Sequence, residues 1–328
     1  MLNHDIDFDR AGKQIGFLDV PYSEHDDAWG VIRVPIAVIA NGEGPTVILE
    51  GGNHGDEYEG PITLGELIRD LDPTQVSGRL IFIPAINLPA VAAASRVSPI
   101  DGINMNRAFP GDPLGTTTQQ IVSFVNDTLF PMADAFLDLH SGGSSLDILP
   151  SAIVQPSADP QLEARNISAV GAFGAPVNVT IDNRGDPRTA TAAAAAAGLI
   201  VVGTEMAGGG TVSVDALDLC RRGVRNVLVY LGVLPSGYAN PFQTEAASYV
   251  LAPDAHVLAP AAGVFEPLHK LGTIVRAGEP AGRIHFLADP RQSPVEVTYP
   301  SDGLLYSVRR PGRVRPGNCC LVVASPDG

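Results

Sequence analysis

A short apolar run that leads through a glycine turn into a histidine constrains the fold of this chain most strongly. Residues 46–49 are Thr-Val-Ile-Leu, which predicts a buried parallel strand, and the stretch 57–71 has helical spacing. Between them two glycines let the chain turn, and His54 and Glu57 stand three residues apart. Side chains placed in this way at a turn can converge on one metal ion. A hydrolytic zinc site uses three protein ligands and leaves the fourth position for water, so a third ligand must come from elsewhere.

Two further apolar runs end in side chains that suit the same site. Residues 135–139 lead into His140, and residues 199–204 lead into Glu205. Ligands of open α/β sheets bind beyond the carboxyl ends of the strands, so we expect these side chains to meet His54 at one edge of the sheet. His140 is therefore the candidate third ligand, and Glu205 is the candidate general base.

The middle of the chain alternates between strand and helix patterns. This alternation, from about residue 46 to residue 235, predicts an α/β fold with a largely parallel mixed sheet flanked by helices. Further strands are expected at residues 80–84 and 226–230, and further helices at residues 119–130 and 187–197.

The two ends of the chain have different patterns. The lead-in contains one predicted strand, residues 31–39, whose internal proline favours an edge position. After about residue 240, short apolar stretches alternate with Gly, Pro and Asp turns, which predicts a small all-β barrel or sandwich. We therefore expect a zinc-hydrolase α/β domain over residues 1–240 and a β-barrel-like domain over residues 241–328.

The charge balance limits the partners that this chain can bind. The 21 Lys and Arg residues stand against 36 Asp and Glu residues, and the net charge of −15 disfavours nucleic acid and anionic membranes. The N-terminal segment lacks the apolar core of a secretory signal and no stretch is long enough to span a bilayer, so we expect a cytoplasmic protein. Cys220, Cys319 and Cys320 have neither disulfide-framework nor metal-ligand spacing, so we expect inert thiols.

The strand ends taken together resemble the zinc carboxypeptidase superfamily, and more closely the succinylglutamate desuccinylase/aspartoacylase family. The matching pattern is His54-x-x-Glu57, then His140, then Glu205. That family also places an arginine ahead of an Asn-Arg pair, which corresponds here to Arg96 ahead of Asn106 and Arg107. Within the family, the flanks of these motifs look most like the deacetylases of ectoine breakdown, which remove acetate from an N-acetylated diaminobutyrate.

The resemblance implies one zinc ion per chain, held by His54, Glu57 and His140, and hydrolysis of an amide by activated water. Glu205 is expected to accept the proton of that water and to return it to the leaving amine. Arg96 is expected to stabilise the oxyanion that forms on the acyl group, because a charged donor contributes strongly in a dry site.

Substrate recognition is expected from the Asn-Arg pair. The guanidinium of Arg107, together with Asn106, matches a carboxylate with parallel hydrogen bonds, which implies an N-acyl amino acid as substrate. Arg188 is a candidate for a second anion contact. Asp138 lies on the same side of its strand as His140 and is a candidate for orienting a ligand. In the resembling family the C-terminal β domain partly covers the active-site cleft.

Alternatives stand beside this hypothesis. A His-x-x-Glu pair occurs in many proteins without a metal, and the arginines taken singly are compatible with ordinary ion pairs. The leading hypothesis is a zinc-dependent amidohydrolase that releases a short acyl group from an N-acyl amino acid, such as N-acetyl-diaminobutyrate. A metallocarboxypeptidase acting on peptides and a non-catalytic metal-dependent binding protein are the rivals. The sequence leaves open the acyl group, the native metal and the assembly, for which a homo-oligomer is one option.

Overall fold

The computed structural model describes residues 2–240 and 246–327. The α-helices are α1 (Glu59–Asp70), α2 (Leu88–Ala93), α3 (Thr117–Phe124), α4 (Pro160–Phe173), α5 (Ala190–Ala196) and α6 (Val214–Tyr230). The strands up to residue 240 are β1 (Asn3–His4), β2 (Gly12–Pro21), β3 (Val31–Asn41), β4 (Thr46–Gly51), β5 (Gly78–Ile83), β6 (Ala135–His140), β7 (Leu146–Val154), β8 (Val177–Thr180) and β9 (Ile200–Gly208). The later strands are β10 (Ala247–Val250), β11 (His256–Leu258), β12 (Gly263–Pro267), β13 (Ile274–Val275), β14 (Pro280–His285), β15 (Val295–Thr298), β16 (Gly303–Arg309), β17 (Arg313–Val314) and β18 (Cys319–Pro326).

Four parallel strands form the centre of the main sheet, in the order β5-β4-β6-β9. The predicted strands at the three candidate strand ends are confirmed as β4, β6 and β9, and the strand predicted at residues 80–84 as β5. Helices α3 and α5 confirm the helices predicted at residues 119–130 and 187–197, and a π-helical turn (Val125–Leu129) extends α3. Because these strands are parallel neighbours, their carboxyl ends lie at one edge of the sheet.

Helices cover both faces of this central sheet. Along β4, Val47 and Leu49 pack into a buried cluster with α1, α4 and α6, whereas Ile48 packs on the other face with α3 and α5. Strands buried on both faces have near-continuous apolar sequences, which explains the unbroken run in β4.

The main sheet is mixed, so the prediction of a largely parallel sheet is not confirmed. Strands β1, β2, β3 and β5 pair antiparallel on one side of the centre, and β7 pairs antiparallel with β9 on the other. Helices stand between most successive strands from β4 to β9, whereas β1 to β4 follow one another without an α-helix, and so do β6 and β7.

Strand β3 is an internal strand, so the predicted edge position is wrong. It pairs with β2 along its length, but its pairs with β5 begin only at Ala37. Pro35 lies beyond that first pair, opposite Phe17 of β2. A proline is tolerated inside the sheet here because β5, the second neighbour of β3, does not yet pair with β3 at this position.

The strand predicted at residues 226–230 is also wrong, because these residues are the last turns of α6. The buried side chains of α6 include Cys220, Val224, Val227 and Leu228, at three- and four-residue spacing. Short apolar runs do not distinguish a buried strand from one face of a helix, and the period of the whole 17-residue segment decides the outcome.

The C-terminal region consists of strands, as predicted, in two layers. Strands β15, β14, β12 and β17 form a separate four-stranded sheet, whose apolar face packs in a common buried cluster with β16 and β18. The strands β7, β8, β10, β18 and β16 hydrogen-bond in sequence and close into a ring, because β16 also pairs with β7. The predicted division at residues 240/241 borders on residues 241–245, which lie outside the described residues, and stays a prediction.

The described residues include no helix that is both long and apolar enough to cross a membrane.

Candidate metal centre and active site

Three buried side chains from two strand ends converge on one point. His54 and Glu57 lie in the turn between β4 and α1, and His140 is the last residue of β6. One oxygen of the Glu57 carboxylate lies 2.8 Å from Nδ1 of His54, and the other lies 2.8 Å from Nδ1 of His140. The potential ligand atoms of the three residues all lie within 4.8 Å of one another. The structure therefore brings together the three predicted metal ligands.

Two glycines make the turn that carries the first two ligands possible. Gly52 has a φ of +70°, which a side chain rarely adopts. A Cβ atom at Gly55 would lie 1.9 Å from the backbone of Ala90, in α2. The backbone at Gly55 can approach α2 this closely only without a side chain, so the glycines set where His54 and Glu57 point.

The outer nitrogen of each histidine has an oxygen partner. Nε2 of His54 lies 3.1 Å from Oδ1 of Asn104, and Nε2 of His140 lies 3.0 Å from Oδ1 of Asp138. With a proton on each Nε2, both Nδ1 lone pairs face the Glu57 carboxylate. Such outer partners fix the tautomer of metal-binding histidines. Two imidazole nitrogens and a carboxylate converging in this way fit a zinc-type divalent cation.

The charges of this cluster influence one another strongly. Burial alone would raise the pKa of Glu57, but His54 and His140 outweigh it and hold that pKa below its ordinary value. For His140, burial acts to lower the pKa, but the carboxylates of Asp138 and Glu57 raise it well above its ordinary value. The site thus favours positive charge next to the carboxylates.

Glu205 lies beside the cluster on the neighbouring strand. In the parallel pair β6 and β9, His140 is in register with Glu205, so both side chains project from the same face. Burial, and then the Glu57 carboxylate, raise the pKa of Glu205 to about 8. Its Oε2 atom is buried and has no hydrogen-bond partner among residues 2–240 and 246–327. A carboxylate in this state is available to exchange a proton with a ligand.

A cavity of about 150 Å³ opens beside these residues and is lined by His54, Glu57, His140 and Glu205. Its wall includes the apolar side chains of Leu146, Ile148, Ile153 and Ile181 and the neutral polar side chains of Gln155, Asn183 and Thr191. This volume is small beside the roughly 300–1,000 Å³ of typical ligand pockets. The cavity suits a small molecule.

Arg96 and the Asn-Arg pair also line the cavity. A terminal nitrogen of Arg96 lies 3.5 Å from Oε1 of Glu57, and 45% of its side chain is exposed. The Asn106 Nδ2 atom lies 3.4 Å from Nε2 of His140, while its Oδ1 accepts a hydrogen bond from the amide of Ala190 at 2.8 Å. Asn106 therefore connects the ligand histidine to the start of α5.

Arg107 and Arg188 share one carboxylate. Arg107 Nε lies 3.4 Å from Asp186, whereas Arg188 donates two hydrogen bonds of 2.9 Å to it. Arg107 lines the cavity, while Arg188 is exposed and lies outside the lining residues. The substrate contact predicted for Arg188 stays a prediction, since its guanidinium is already paired in this arrangement.

Three residues in or near the site were not found by sequence reasoning. Asn104 contacts a ligand histidine, and its proximity to the Asn-Arg pair was a possible signal. Gln155, whose Oε1 accepts a hydrogen bond from Thr191 at 2.9 Å, belongs to no recognisable motif. Tyr306 comes from β16 and shares a hydrogen bond of 2.7 Å with Ser151, and burial and then the charge of Glu205 raise its pKa. Its distance along the chain gave no signal.

Comparisons with known proteins identify the family of this chain. A family model described as the succinylglutamate desuccinylase/aspartoacylase catalytic domain matches residues 43–231. N-alpha-acetyl-L-2,4-diaminobutyric acid deacetylase of Halomonas elongata is 39% identical over 97% of this chain and 93% of its own length. The range that the family model matches runs from before β4 to the end of α6 and so spans the candidate site.

Solved structures extend the likeness over the C-terminal region. The product-bound ectoine utilization protein EutE (DoeB) of Ruegeria pomeroyi superposes with a TM-score of 0.94 at 39% identity, covering 99% of this chain and 98% of that one. A succinylglutamate desuccinylase/aspartoacylase from Rhodobacter sphaeroides gives a TM-score of 0.93 at 41% identity, with the same coverage of 99% and 98%.

Proposed function

This chain belongs to the succinylglutamate desuccinylase/aspartoacylase family, and on that premise we propose that it is a zinc-dependent deacylase that releases acetate from an N-acetyl-2,4-diaminobutyrate. The proposal draws its substrate from the 39% identical Halomonas elongata deacetylase, which aligns over nearly the whole chain. It draws its chemistry from the residues around the cavity.

One observation carries the proposal. His54, Glu57 and His140 converge within 4.8 Å beside a buried carboxylate, Glu205, that has no partner on one oxygen among the described residues. A zinc ion, when bound, supplies the positive charge that polarises an acyl carbonyl and makes water acidic enough to attack it near neutral pH. The three side chains would hold that ion, and Asp138 and Asn104 would orient the two histidines.

Glu205 would act as the general base and then as the general acid. It would accept a proton from the attacking water and return it to the amine that leaves when the amide bond breaks. Burial raises the pKa of Glu205 to about 8, which makes its carboxylate a stronger proton acceptor than that of an exposed glutamate.

Each arginine of the cavity would bind a different negative group, one the acyl oxygen that becomes negative during the reaction and the other the α-carboxylate. Arg96, 3.5 Å from Glu57, is close enough to the cluster to donate to the oxygen that becomes negative on the acyl group. Arg107 and Asn106 would bind the α-carboxylate, because a guanidinium fork matches its two oxygens. These roles are what an N-acyl amino acid requires of the site.

The cavity argues for a small substrate over a peptide. Its volume of about 150 Å³ and its position under β7 and β9 leave little room for a chain of residues. A metallocarboxypeptidase needs a cleft open to peptides, so this rival is disfavoured. A purely binding protein has no need of Glu205, whose burial without a partner on Oε2 among the described residues is costly.

The test is acetate release by protein stripped of metal with a chelator and then reconstituted with zinc, cobalt or manganese. The substrates are both N-acetyl-diaminobutyrate isomers, N-acetyl-aspartate, N-succinyl-glutamate and two N-blocked dipeptides. We expect about one metal per chain and metal-dependent release from one of the diaminobutyrate isomers. Activity that survives complete metal removal, or turnover of the dipeptides alone, would overturn the proposal.

A further inference from the structure

Two more buried acids stand beside the first two metal ligands, one in the same turn and one at the start of α1, and their contacts reach other loops. Asp56 and Glu59 are 3% and 1% exposed and are not among the predicted ligands. Acidic residues near a helix start commonly stabilise the helix dipole. These two carboxylates instead accept hydrogen bonds from backbone amides 88 and 154 residues further along the chain.

Asp56 holds the loop that follows the third ligand. Its Oδ2 accepts a hydrogen bond from the amide of Ser144 at 2.7 Å. The neighbouring Gly143 has a φ of +54°, and a Cβ atom there would lie 2.8 Å from the same oxygen. The carboxylate therefore packs directly on the backbone of the loop that begins after His140. Hydrogen bonds to an ionised acceptor are shorter and stronger than neutral ones, which suits a clamp of this kind.

The loop that Asp56 holds contacts both the ligand Glu57 and β9, the strand that carries Glu205. The amide of Ser141 donates to Oε2 of Glu57 at 3.0 Å, so the loop starts in contact with the ligand carboxylate. The amide of Gly142 donates to the carbonyl of Ala207 at 2.9 Å, two residues after Glu205. A shift of this loop would therefore change the orientation of His140 and the contact between the loop and β9 at the same time.

Glu59 holds the loop that follows the candidate base. Its Oε1 accepts a hydrogen bond from the amide of Ser213 at 2.9 Å. Ser213 is the N-cap of α6 and ends the glycine-rich connection from β9, the strand that carries Glu205. The two acids thus hold the loops after the third ligand and after the base.

From these contacts we infer that Asp56 and Glu59 are positioning residues of the active site. Asp56 fixes the loop after His140 and thereby maintains the affinity for the metal. Glu59 fixes the far end of the loop after Glu205 and thereby maintains turnover without contributing to metal affinity. The inference rests on the proposed metal-dependent hydrolysis and assigns the two acids different, separately measurable effects.

The experiment compares Asp56→Ala, Asp56→Asn, Glu59→Ala and Glu59→Gln with the wild-type chain. The matched control is Asp134→Ala, because Oδ2 of Asp134 also accepts one backbone amide, that of Thr46 at 2.8 Å, but at the opposite ends of β4 and β6. The readouts are the metal dissociation constant, from competition with a chromogenic chelator, then kcat and KM, and the melting temperature of each metal-free protein.

We expect Asp56→Ala to weaken metal binding by about 10-fold or more, as loss of an outer partner of a metal site typically does. Asp56→Asn, which keeps an acceptor oxygen, should restore affinity to within about threefold. Glu59→Ala should keep the metal affinity and KM of the wild type but lower kcat by about 10-fold, and Glu59→Gln should recover most of it. The control should change neither quantity.

The outcomes separate the inference from the proposed function. A wild-type chain that binds no metal would overturn both. A wild-type chain that binds metal and turns over, with Asp56→Ala matching its affinity or with Asp134→Ala losing as much, would overturn only the inference. If Asp56→Ala does not fold, Asp56→Asn and Asp56→Thr provide the same comparison, since threonine cannot accept the Ser144 amide at the same reach.

Discussion

Two regions of this chain treat charged side chains in opposite ways. At the carboxyl ends of β4 and β6, Glu50, Glu57 and Asp138 are at most 3% exposed. In the C-terminal four-stranded sheet, the charged residues lie at the surface in pairs such as His285 and Glu266, 2.7 Å apart. The buried cluster beneath that sheet consists of apolar side chains together with Tyr299 and Cys320.

The difference shows where in the molecule carboxylates are buried despite the unfavourable free energy of removing them from water. Burying a carboxylate without full compensation is unfavourable, and Oδ2 of Asp138 and one oxygen each of Glu50 and Glu205 lack hydrogen-bond partners among the described residues. The C-terminal region reaches the same degree of burial with apolar side chains. The concentration of this cost at one sheet edge distinguishes a site built around a cation from a region built for packing.

The largest effect should come from removing the base. Glu205→Gln keeps the shape of the side chain but cannot accept a proton, so we expect kcat to fall by about 10²–10⁴-fold. The metal dissociation constant should stay within about threefold of the wild-type value. Steady-state kinetics and metal titration on the same preparations measure both.

The control for this prediction comes from the C-terminal region. Glu266→Gln removes a carboxylate that is exposed and paired with His285, and it should change kcat by less than about twofold. Equal losses in the two variants would mean that the buried and the exposed carboxylates do not differ in function.

A smaller effect is expected at the substrate's carboxylate. Arg107→Lys replaces a two-pronged donor with a single ammonium, so KM for the N-acetyl amino acid should rise by about 10-fold with a lesser change in kcat. Arg283→Lys, in the exposed pair with Glu296, is the matched change in the C-terminal sheet and should leave KM unaltered. A KM that is unchanged in Arg107→Lys would remove this residue from substrate binding.

The buried carboxylates should also make stability depend on pH. Burial, and then the Asp138 carboxylate, raise the pKa of Glu50 to about 8 from its ordinary 4.5. Between these values the unfolded chain loses the proton that the folded chain keeps, so the contribution of Glu50 to stability is lost as pH rises toward 8. In metal-free protein, the melting temperature of wild type relative to Glu50→Gln should therefore fall from pH 5 to pH 8.

Thermal unfolding in a chelator across that pH range measures the difference. Glu266→Gln serves as the control from the exposed sheet, and its curve should run parallel to that of the wild type. If the difference in melting temperature between wild type and Glu50→Gln stayed constant from pH 5 to pH 8, the pKa of Glu50 would not be raised by its burial.

The site was more predictable from sequence than the sheet around it. His54, Glu57, His140 and Glu205 follow apolar runs, and parallel strands place their carboxyl ends at one edge, so residues up to 151 positions apart were expected to meet. Local pattern and one rule of topology were sufficient. The clamps formed by Asp56 and Glu59 were not predicted, because an acid near a helix start has several ordinary roles.

The errors have specific physical causes. The run at residues 226–230 has the composition of a strand, but it continues the apolar face of α6, and only the longer period reveals this. The proline of β3 suggested an edge because the shorter length of β5 was not visible from sequence. Tyr306 reaches the site because β16 pairs with β7, more than 150 residues earlier, and Gln155 follows the end of β7, and no local pattern encodes either placement.

The smallest expected effect concerns the thiols of the two regions. Cys220 is fully buried in α6, and burial raises its pKa to about 12, so almost none of it carries the reactive thiolate at pH 8. Cys320 is buried in β18 with a pKa raised to about 11, whereas Cys319 is partly exposed. With an aromatic disulfide reagent at pH 8 we expect Cys319 to react first and Cys220 last, and all three to react at once in denaturant.

Mass spectrometry of the modified peptides assigns the order, and Cys319→Ala/Cys320→Ala isolates the rate of Cys220. A Cys220 that reacts as fast as Cys319 would mean that the α/β core opens as readily as the C-terminal strands, which would contradict the rigid support that the metal ligands require.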